Sequence, residues 1–266
     1  MDPVVVALEQ VYQAMLALLR GLGVEDWQRP TPCSEWDMRQ LVSHIASGTS
    51  MFEGIPQPPL REGWSTHHVG IHALSAELVA RRQSWSPQQI LAELEQVTRA
   101  QLQRFRNLDE EGWSRALTTP APPGVKTQRA LANNRLLDSY IHLFDLRVAL
   151  GRPLDIDAEP LALAESVAQA IGLSGWGAVK KAKLVDGSRV RLELSDPCGY
   201  MGDLVVEHGR GELVSPDPET AERVVGTAPA YLFVATGRPR WTVQVGGIRA
   251  EGRAARRLLD GYVIWA

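Results

Sequence analysis

The hydrophobic pattern of the chain changes near Pro153, and this change constrains the fold more than any other feature of the sequence. Before it, apolar residues recur at steps of three and four, as from Val4 to Leu22, which is the spacing of an amphipathic helix. After it, stretches such as Arg189 to Leu194 alternate polar with apolar residues, which is typical of a strand. We therefore predict an all-helical domain over residues 1–153 and a smaller α+β domain over residues 154–266. Each is long enough to bury a core of its own.

Start and stop signals divide the N-terminal domain into helices joined by loops that contain proline. Asp37 with Gln40 is a variant of the capping box and predicts the start of a helix. Ser86 followed by Pro87 supplies an N-cap and a first-turn proline for another helix. The predicted helices cover residues 4–22, a segment that follows Asp37, and residues 69–82, 87–108 and 127–150. We expect a helical bundle whose long loops build one rim of a site.

For the C-terminal domain, the residue patterns predict a mostly antiparallel sheet with helices beside it. Branched or alternating residues predict strands at 189–194, 204–206 and 241–245. Helical segments are predicted at 159–171, 220–225, 228–236 and 252–264.

The charge and the cysteine content indicate which kinds of partner the protein binds and which redox compartment it occupies. Lys and Arg total 28 against 31 Asp and Glu, a formal charge of −3 without a long run of either sign. We therefore expect a small-molecule partner and no nucleic acid. Cys33 and Cys198 lie in different halves, which indicates a reducing compartment and not a disulfide framework. The N-terminus has no basic leader, and no apolar run approaches the roughly 18 residues of a membrane helix. We expect a cytoplasmic protein, a monomer or a homodimer, with no membrane partner.

Three side chains in two of the predicted helices can ligate one metal ion. Asp138 and His142 are four residues apart and so share one face of a helix, and His44 can reach the same ion from a neighbouring helix. Imidazole and carboxylate ligands suit zinc, which is the default, but also Ni²⁺, Fe²⁺ and harder divalent ions. Three protein ligands leave coordination positions open, as in catalytic metal sites. Taken singly, each histidine is more often a packed or hydrogen-bonded residue than a ligand.

Asp145 and Arg238 are the candidate catalytic residues outside this set. Asp145 follows His142 by three residues and can hold the ligand imidazole through a hydrogen bond. A salt bridge between Asp145 and Arg147 or another basic residue is the alternative. Arg238 lies in a Gly-Arg-Pro-Arg turn and can bind a carboxylate through two parallel hydrogen bonds. A solvated surface arginine is the alternative for Arg238.

Two further groups have weaker functional interpretations. Cys33 lies just before the helix that follows Asp37, where the helix N-terminus favours a thiolate, although such a cysteine is more often a small buried hydrophobe. His67, His68 and His72 form a second histidine cluster, in which His68 and His72 have helical spacing. Adjacent histidines in a polar loop are usually solvated, so this cluster ranks below the first.

Two segments carry a resemblance to a known family: Arg29-Pro-Thr-Pro-Cys-Ser-Glu-Trp-Asp-Met-Arg-Gln-Leu-Val-Ser-His44 and Asp138-Ser-Tyr-Ile-His-Leu-Phe-Asp-Leu-Arg-Val-Ala-Leu-Gly151. Together with the Gly-Arg turn and the segment from Gly246 to Ala254, they resemble the mycothiol-dependent maleylpyruvate isomerase family, a branch of the DinB-like metal-binding bundles. The similarity spans essentially the whole chain. It implies a DinB-like four-helix bundle followed by a domain like the sterol carrier protein.

The same resemblance implies roles for individual residues. The family binds a divalent metal, usually zinc, through His, Glu and His. His44 and His142 match its two histidines, and Asp138 takes the place of its glutamate with a side chain one methylene shorter. An arginine in the family's second domain assists substrate binding or catalysis, and Arg238 is the nearest match.

The residues and the resemblance together predict a metal-dependent enzyme that uses mycothiol as a cosubstrate, either a thiol S-transferase or an isomerase. The metal would lower the pKa of the thiol, so that a thiolate attacks an electrophilic small molecule. Two alternatives stay open. One is a thiol-independent metallo-enzyme of a biosynthetic pathway, such as a hydrolase, isomerase or cyclase, and the other is a small-molecule-binding protein without turnover.

Overall fold

The computed structural model of the protein describes residues 1–59, 71–118 and 124–264. The chain forms two compact units, Met1–Asp155 and Ile156–Ala266. The first is helical, and the second combines a sheet with helices. The predicted class, a helical region followed by an α+β region, is therefore confirmed. No helix in the described ranges is both long and apolar enough to cross a membrane.

The helices of the first unit begin and end close to the predicted positions. They are α1 (Pro3–Arg20), α2 (Met38–Ser50), α3 (Ile71–Ala80), α4 (Pro87–Arg106), α5 (Glu110–Ser114) and α6 (Gln128–Ala149), with a 3₁₀ helix at Val24–Gln28. The single-turn helix α5 and the 3₁₀ helix were not predicted, since segments of five residues are too short to show a periodic pattern.

Side-chain capping explains where α2 and α4 start. The backbone N–H of Gln40 donates to Asp37 Oδ1 over 2.8 Å, and the backbone N–H of Asp37 donates to Gln40 Oε1 over 3.0 Å. Ser86 and Gln89 make the same reciprocal pair at the start of α4. Both predicted helix starts are confirmed, because these caps satisfy backbone donors that the first turn leaves without partners.

Helix α6 packs against both α1 and α2, and much of it is buried. Every residue from Leu136 to Leu146 is buried except Asp138, which is half-buried. Most of these residues are apolar and form the core. The polar ones include Asp138, His142 and Asp145, so the candidate functional side chains of α6 lie inside the bundle.

The second unit is built on a five-stranded sheet. Its strands are β1 (Arg189–Ser195), β2 (Tyr200–Glu207), β3 (Arg210–Val214), β4 (Arg223–Thr227) and β5 (Ile248–Glu251), in the order β3-β2-β1-β4-β5. β1 and β4 run parallel, and the other three pairs are antiparallel, so the mostly antiparallel sheet is confirmed. The helices of this unit are α7 (Pro160–Gly172), α8 (Ser174–Lys180), α9 (Ala228–Ala235) and α10 (Arg253–Gly261).

Two predictions for the second unit were wrong. Residues 241–245 were expected to form a strand but belong to a 3₁₀ helix, Pro239–Val245. Burial there follows a helical spacing, since Trp241 and Val245 are buried while Val243 is exposed, and a proline in the first turn favours a helix. Residues 220–225 were expected to be helical, but the segment enters strand β4. Its Val224 and Val225 suit a strand that pairs on both sides.

Candidate metal centre

Helices α2 and α6 bring the three predicted ligands together. One ligand atom each from His44, Asp138 and His142 lies within 4.8 Å of the others. His142 Nε2 lies 3.5 Å from Asp138 Oδ1, and His44 Nε2 lies 3.8 Å from the same oxygen. The pair on α6 is adjacent because residues four apart lie one above the other on a helix. His44 arrives from α2, so the cluster spans two helices.

The spacing of these atoms fits a shared cation. Distances of 3.5 and 3.8 Å exceed an ordinary N–H···O separation of about 2.7–3.2 Å. Ligands bound to zinc at about 2.0–2.2 Å in tetrahedral geometry lie about 3.4 Å apart. The two histidine Nε2 atoms face the same carboxylate oxygen from different helices. This donor set of two imidazoles and one carboxylate suits a borderline divalent ion.

Neighbouring rings and the preceding loop hold His44 in place. Its ring lies over Trp36 with the ring centroids 4.6 Å apart, and it meets His142 edge to face. Trp36 belongs to a loop that is closed by its own hydrogen bonds: Thr31 Oγ1 donates to the Trp36 carbonyl oxygen over 2.7 Å, and the N–H of Met38 donates to the Arg29 carbonyl oxygen over 3.0 Å. The loop therefore carries an aromatic wall for the cluster.

Asp145 orients His142. The Nδ1 atom of His142 donates to Asp145 Oδ2 over 2.8 Å, and Asp145 is fully buried. With Nδ1 used in this way, Nε2 is the ring atom directed at Asp138. The Cys33 thiol donates to the same Asp145 oxygen over 3.2 Å and lies 3.8 Å from His142 Nδ1. Cys33 thus lies behind the cluster, a placement that the chain positions alone did not predict.

Burial and charge set the protonation of the cluster. Burial raises the pKa of Asp138, but Arg135 and His142 outweigh this effect and hold that pKa well below its ordinary value. Burial lowers the pKa of His142, but the Asp138 carboxylate outweighs burial and raises that pKa well above its ordinary value. Burial also lowers the pKa of His44, which favours the neutral imidazole that ligates metals. A bound cation would compete with the proton on His142.

Arg135 is a further buried side chain at the cluster. Its Nη2 lies 3.0 Å from Asp138 Oδ2, on the side away from the histidines. A charged residue three positions before Asp138, within a stretch rich in apolar residues, is the signal that could have indicated it from the sequence. The ion pair leaves Oδ1 of Asp138 for the two imidazoles.

The remaining predicted residues are not part of α2 or α6. Arg238 belongs to the second unit, where it precedes the 3₁₀ helix and donates to the carbonyl oxygen of Thr236. His72 is an exposed residue of α3. His67 and His68 lie outside the described residues, so the second histidine cluster is not part of the described structure.

The chain is similar in sequence to a known domain family and to two mycobacterial proteins. The family model for the mycothiol maleylpyruvate isomerase N-terminal domain matches residues 8–147, which include the whole cluster. Two uncharacterized proteins of Mycobacterium tuberculosis, from strains CDC 1551 and H37Rv, are each 27% identical over 164 residues, covering 60% of this chain and 73% of the relative.

Solved structures show the same fold. The crystal structures of the mycothiol-dependent maleylpyruvate isomerase and of a histidine-to-alanine mutant of it match with TM-scores of 0.59 and 0.61. Each shares 14% sequence identity and covers 96% of both chains. Since the matched family model covers more than half of the chain, the protein belongs to the family of the mycothiol maleylpyruvate isomerase N-terminal domain.

Proposed function

We propose that this protein is a metal-dependent enzyme that uses mycothiol, acting on an electrophilic small molecule as an isomerase or a thiol S-transferase. The observation that carries the proposal is the convergence of His44, Asp138 and His142 from two helices, with both Nε2 atoms within 3.8 Å of one carboxylate oxygen. Membership of the family supports the choice of thiol. Zinc is the ion that we expect.

The chain's own residues prepare the site for such an ion. His44, Asp138 and His142 would hold it, and three protein ligands leave room for one further ligand. When bound, the ion would supply a Lewis acid that lowers the pKa of a thiol. Asp145 keeps the His142 ring in one tautomer and orientation through its 2.8 Å hydrogen bond. Nη2 of Arg135 lies 3.0 Å from Oδ2 of Asp138, and Oδ1 of the same carboxylate faces the two imidazoles.

Two further residues are assigned roles in the proposed function. Asp145 acts by positioning His142. Arg238 of the second unit is proposed to bind an acidic group of the substrate, by analogy with the arginine that the family's second domain contributes. We propose a cytoplasmic location and a monomer or homodimer.

Metal analysis of purified protein tests the centre. We expect about one zinc ion per chain in the wild type. His44→Ala and His142→Ala should each lose that ion, because each variant removes one of only three protein ligands. His72→Ala is the matched control, since His72 is an exposed histidine of the same unit, and it should keep the metal. Unchanged metal content in both cluster variants would sink the metal proposal.

Turnover assays test the thiol. Zinc-loaded protein should accelerate the reaction of mycothiol with an electrophile such as a bimane or maleylpyruvate, and metal-free protein should not. Recovery of the thiol after the reaction indicates isomerisation, whereas a stable thioether indicates S-transfer. If the loaded protein consumes the electrophile equally well without mycothiol, the thiol-independent metallo-enzyme is the correct function.

A further inference from the structure

The helix pair that carries the cluster also encloses a cationic side chain whose donors are not used. We define the α2/α6 seam as His44 and Gly48 of α2 with Arg135, Asp138 and His142 of α6. Arg135 is only 5% exposed. Its Nε and Nη2 are buried and have no hydrogen-bond partner among the described residues.

The ion pair with Asp138 does not satisfy these donors. Nη2 is 3.0 Å from Asp138 Oδ2, yet neither atom has a hydrogen bond in the described part of the chain, so the two charges are close but poorly aligned. Buried polar groups are nearly always hydrogen-bonded, since each was bound to water before folding. A guanidinium with two idle buried donors therefore indicates a partner outside the protein chain.

The idle donors have the geometry of a carboxylate receptor. The N–H groups of Nε and Nη2 lie side by side on one edge of the guanidinium, and this fork can donate two parallel hydrogen bonds to the two oxygens of a carboxylate. A monoanion suits the seam better than a phosphate dianion, because Asp138 contributes a negative charge beside the same guanidinium. The chemistry thus selects a carboxylic acid.

A glycine on α2 lets Arg135 pack closely against that helix, and two neighbouring side chains of the seam are part-exposed. Gly48 lies one turn after His44, and a Cβ on it would meet Arg135 Nη1 at 3.3 Å, so the absence of a side chain lets the guanidinium lie against α2. The side chains of His44 and Asp138 each keep 14% of their surface exposed. These two part-exposed side chains are the place where a small acid would enter toward the buried Arg135 donors.

We propose that Arg135 binds the carboxylate of an acidic small molecule in the α2/α6 seam, next to the candidate metal centre. The ligand is a small carboxylic acid held bidentately by Nε and Nη2. As the carboxylate of the electrophilic substrate, it would fix that substrate close to the centre, and this assignment as substrate rests on the proposed function. The binding of the acid itself does not require metal or thiol.

Binding of trifluoroacetate, measured by ¹⁹F NMR on the metal-free full chain, tests the proposal. We expect saturable binding to the wild type, at least tenfold weaker binding to Arg135→Gln, and no saturable binding of the neutral trifluoroacetamide. Arg129→Gln is the matched control, since Arg129 lies on the same helix and pairs with Asp2 but is 42% exposed; it should bind like the wild type.

Two further variants keep the test decisive if Arg135→Gln does not fold. Arg135→Lys keeps the charge but lacks the fork, and we expect it to lose most of the affinity. Gly48→Ala keeps Arg135 but forces the guanidinium to move by a few tenths of an ångström, and we expect weaker binding. Equal affinity in the wild type and every folded seam variant, or no saturable binding to the wild type, overturns the proposal. Tighter Arg135-dependent binding of inorganic phosphate overturns the choice of a carboxylate.

The kinetic readout separates this inference from the proposed function. With zinc-loaded protein, Arg135→Gln should raise the ratio of the KM for a carboxylated electrophile to the KM for its amide at least tenfold relative to the wild type. Failure of metal-dependent turnover would refute the proposed function while carboxylate binding to metal-free protein stands. Normal turnover with no preference for the acid over the amide would refute the role of Arg135 alone.

Discussion

The Nδ1 atom of His142 lies 2.8 Å from Oδ2 of Asp145, one helical turn away on α6, and Asp145 is fully buried. A buried carboxylate in this place commits the histidine ring to one orientation and directs its Nε2 toward Asp138. The Cys33 thiol donates to the same carboxylate oxygen, so a hydrogen bond joins the loop before α2 to α6 behind the cluster. The hydrogen bond therefore links local helix geometry to the proposed metal site.

Replacing Asp145 should weaken metal binding without removing a ligand. We expect Asp145→Ala to lower zinc affinity by about 10- to 100-fold, because the ring of His142 loses the group that orients it. A competition titration with a zinc-sensitive dye measures the change. The control is Asp260→Asn on the exposed face of α10, which should leave affinity unaltered. Equal affinity in Asp145→Ala and the wild type would show that the hydrogen bond has only a packing role.

Removal of Asp138 should destabilise the metal-free protein. Asp138→Ala leaves the buried Arg135 charge without its counter-ion, and we expect the free energy of unfolding to fall by about 3 kcal/mol. Urea denaturation in the presence of a chelator measures it. Glu95→Ala removes the partner of the exposed Arg20 and should change the same quantity by less than about 1 kcal/mol. Similar losses in the two variants would contradict the buried pairing.

Zinc should stabilise the folded chain through the same carboxylate. For the wild type, zinc at 100 times its Kd is expected to raise the free energy of unfolding by about 2.7 kcal/mol, because only the folded state holds the assembled site. In Asp138→Ala the increase should be much smaller. Thermal unfolding with and without zinc checks both values, and an equal increase in Tm for the two proteins would place the binding site elsewhere.

Gly175 should resist substitution, because α8 meets β3 at this position without room for a side chain. A Cβ on Gly175 would lie 2.1 Å from the carbonyl oxygen of Gly211, and backbone on both sides must move to accept it. We expect Gly175→Ala to lower the free energy of unfolding by about 1–3 kcal/mol. Gly172→Ala is the control, since nothing lies within 4 Å of its added Cβ. Chemical denaturation measures the free energy of unfolding of both variants, and only Gly175→Ala should show the loss. An equal loss in Gly172→Ala would contradict the steric argument.

The second unit should lose stability in acid through Asp203. Burial raises the pKa of this carboxyl group, but hydrogen bonds from Arg191 and Thr220 outweigh it and lower the pKa below its ordinary value of 3.8. Such a group binds more protons in the unfolded state, so its contribution is fully present above about pH 4 and disappears as the pH falls through the lowered pKa. The difference in unfolding free energy between the wild type and Asp203→Asn should shrink between pH 5 and pH 3. A constant difference over that range would contradict the assignment.

The parts of the site that lie on one helix could be predicted from residue spacing. Asp138, His142 and Asp145 follow the three- and four-residue steps of α6, so helical geometry alone brings them to one face. Arg135 shares this spacing but was not identified, since an arginine in a helix is usually a surface residue. The nearness of Cys33 to Asp145 depends on how the loop folds back across α6, and no pattern of adjacent residues encodes that path.

The second unit shows where local patterns fail. The segment that contains Trp241 alternates like a strand but is helical, and the segment of Val224 was expected to be helical but is the strand beside β1. For stretches of five residues, local preference differs by too little free energy to decide between helix and strand. Pairing with strands distant in sequence decides the outcome.

The sequence by itself determined the helical and α+β regions, the capped starts of α2 and α4, and the ligand spacing on α6, because each depends on residues within a few turns of one another. The tertiary structure decided which residues stand opposite these: His44 against Asp138, Cys33 against Asp145, and Arg135 with Gly48 beside it. These contacts arise from the packing of whole helices, which is set by the summed burial of their apolar faces and not by any single motif. Residue spacing therefore indicates the metal ligands on α6, whereas the proposed carboxylate site depends on how α2 and α6 pack.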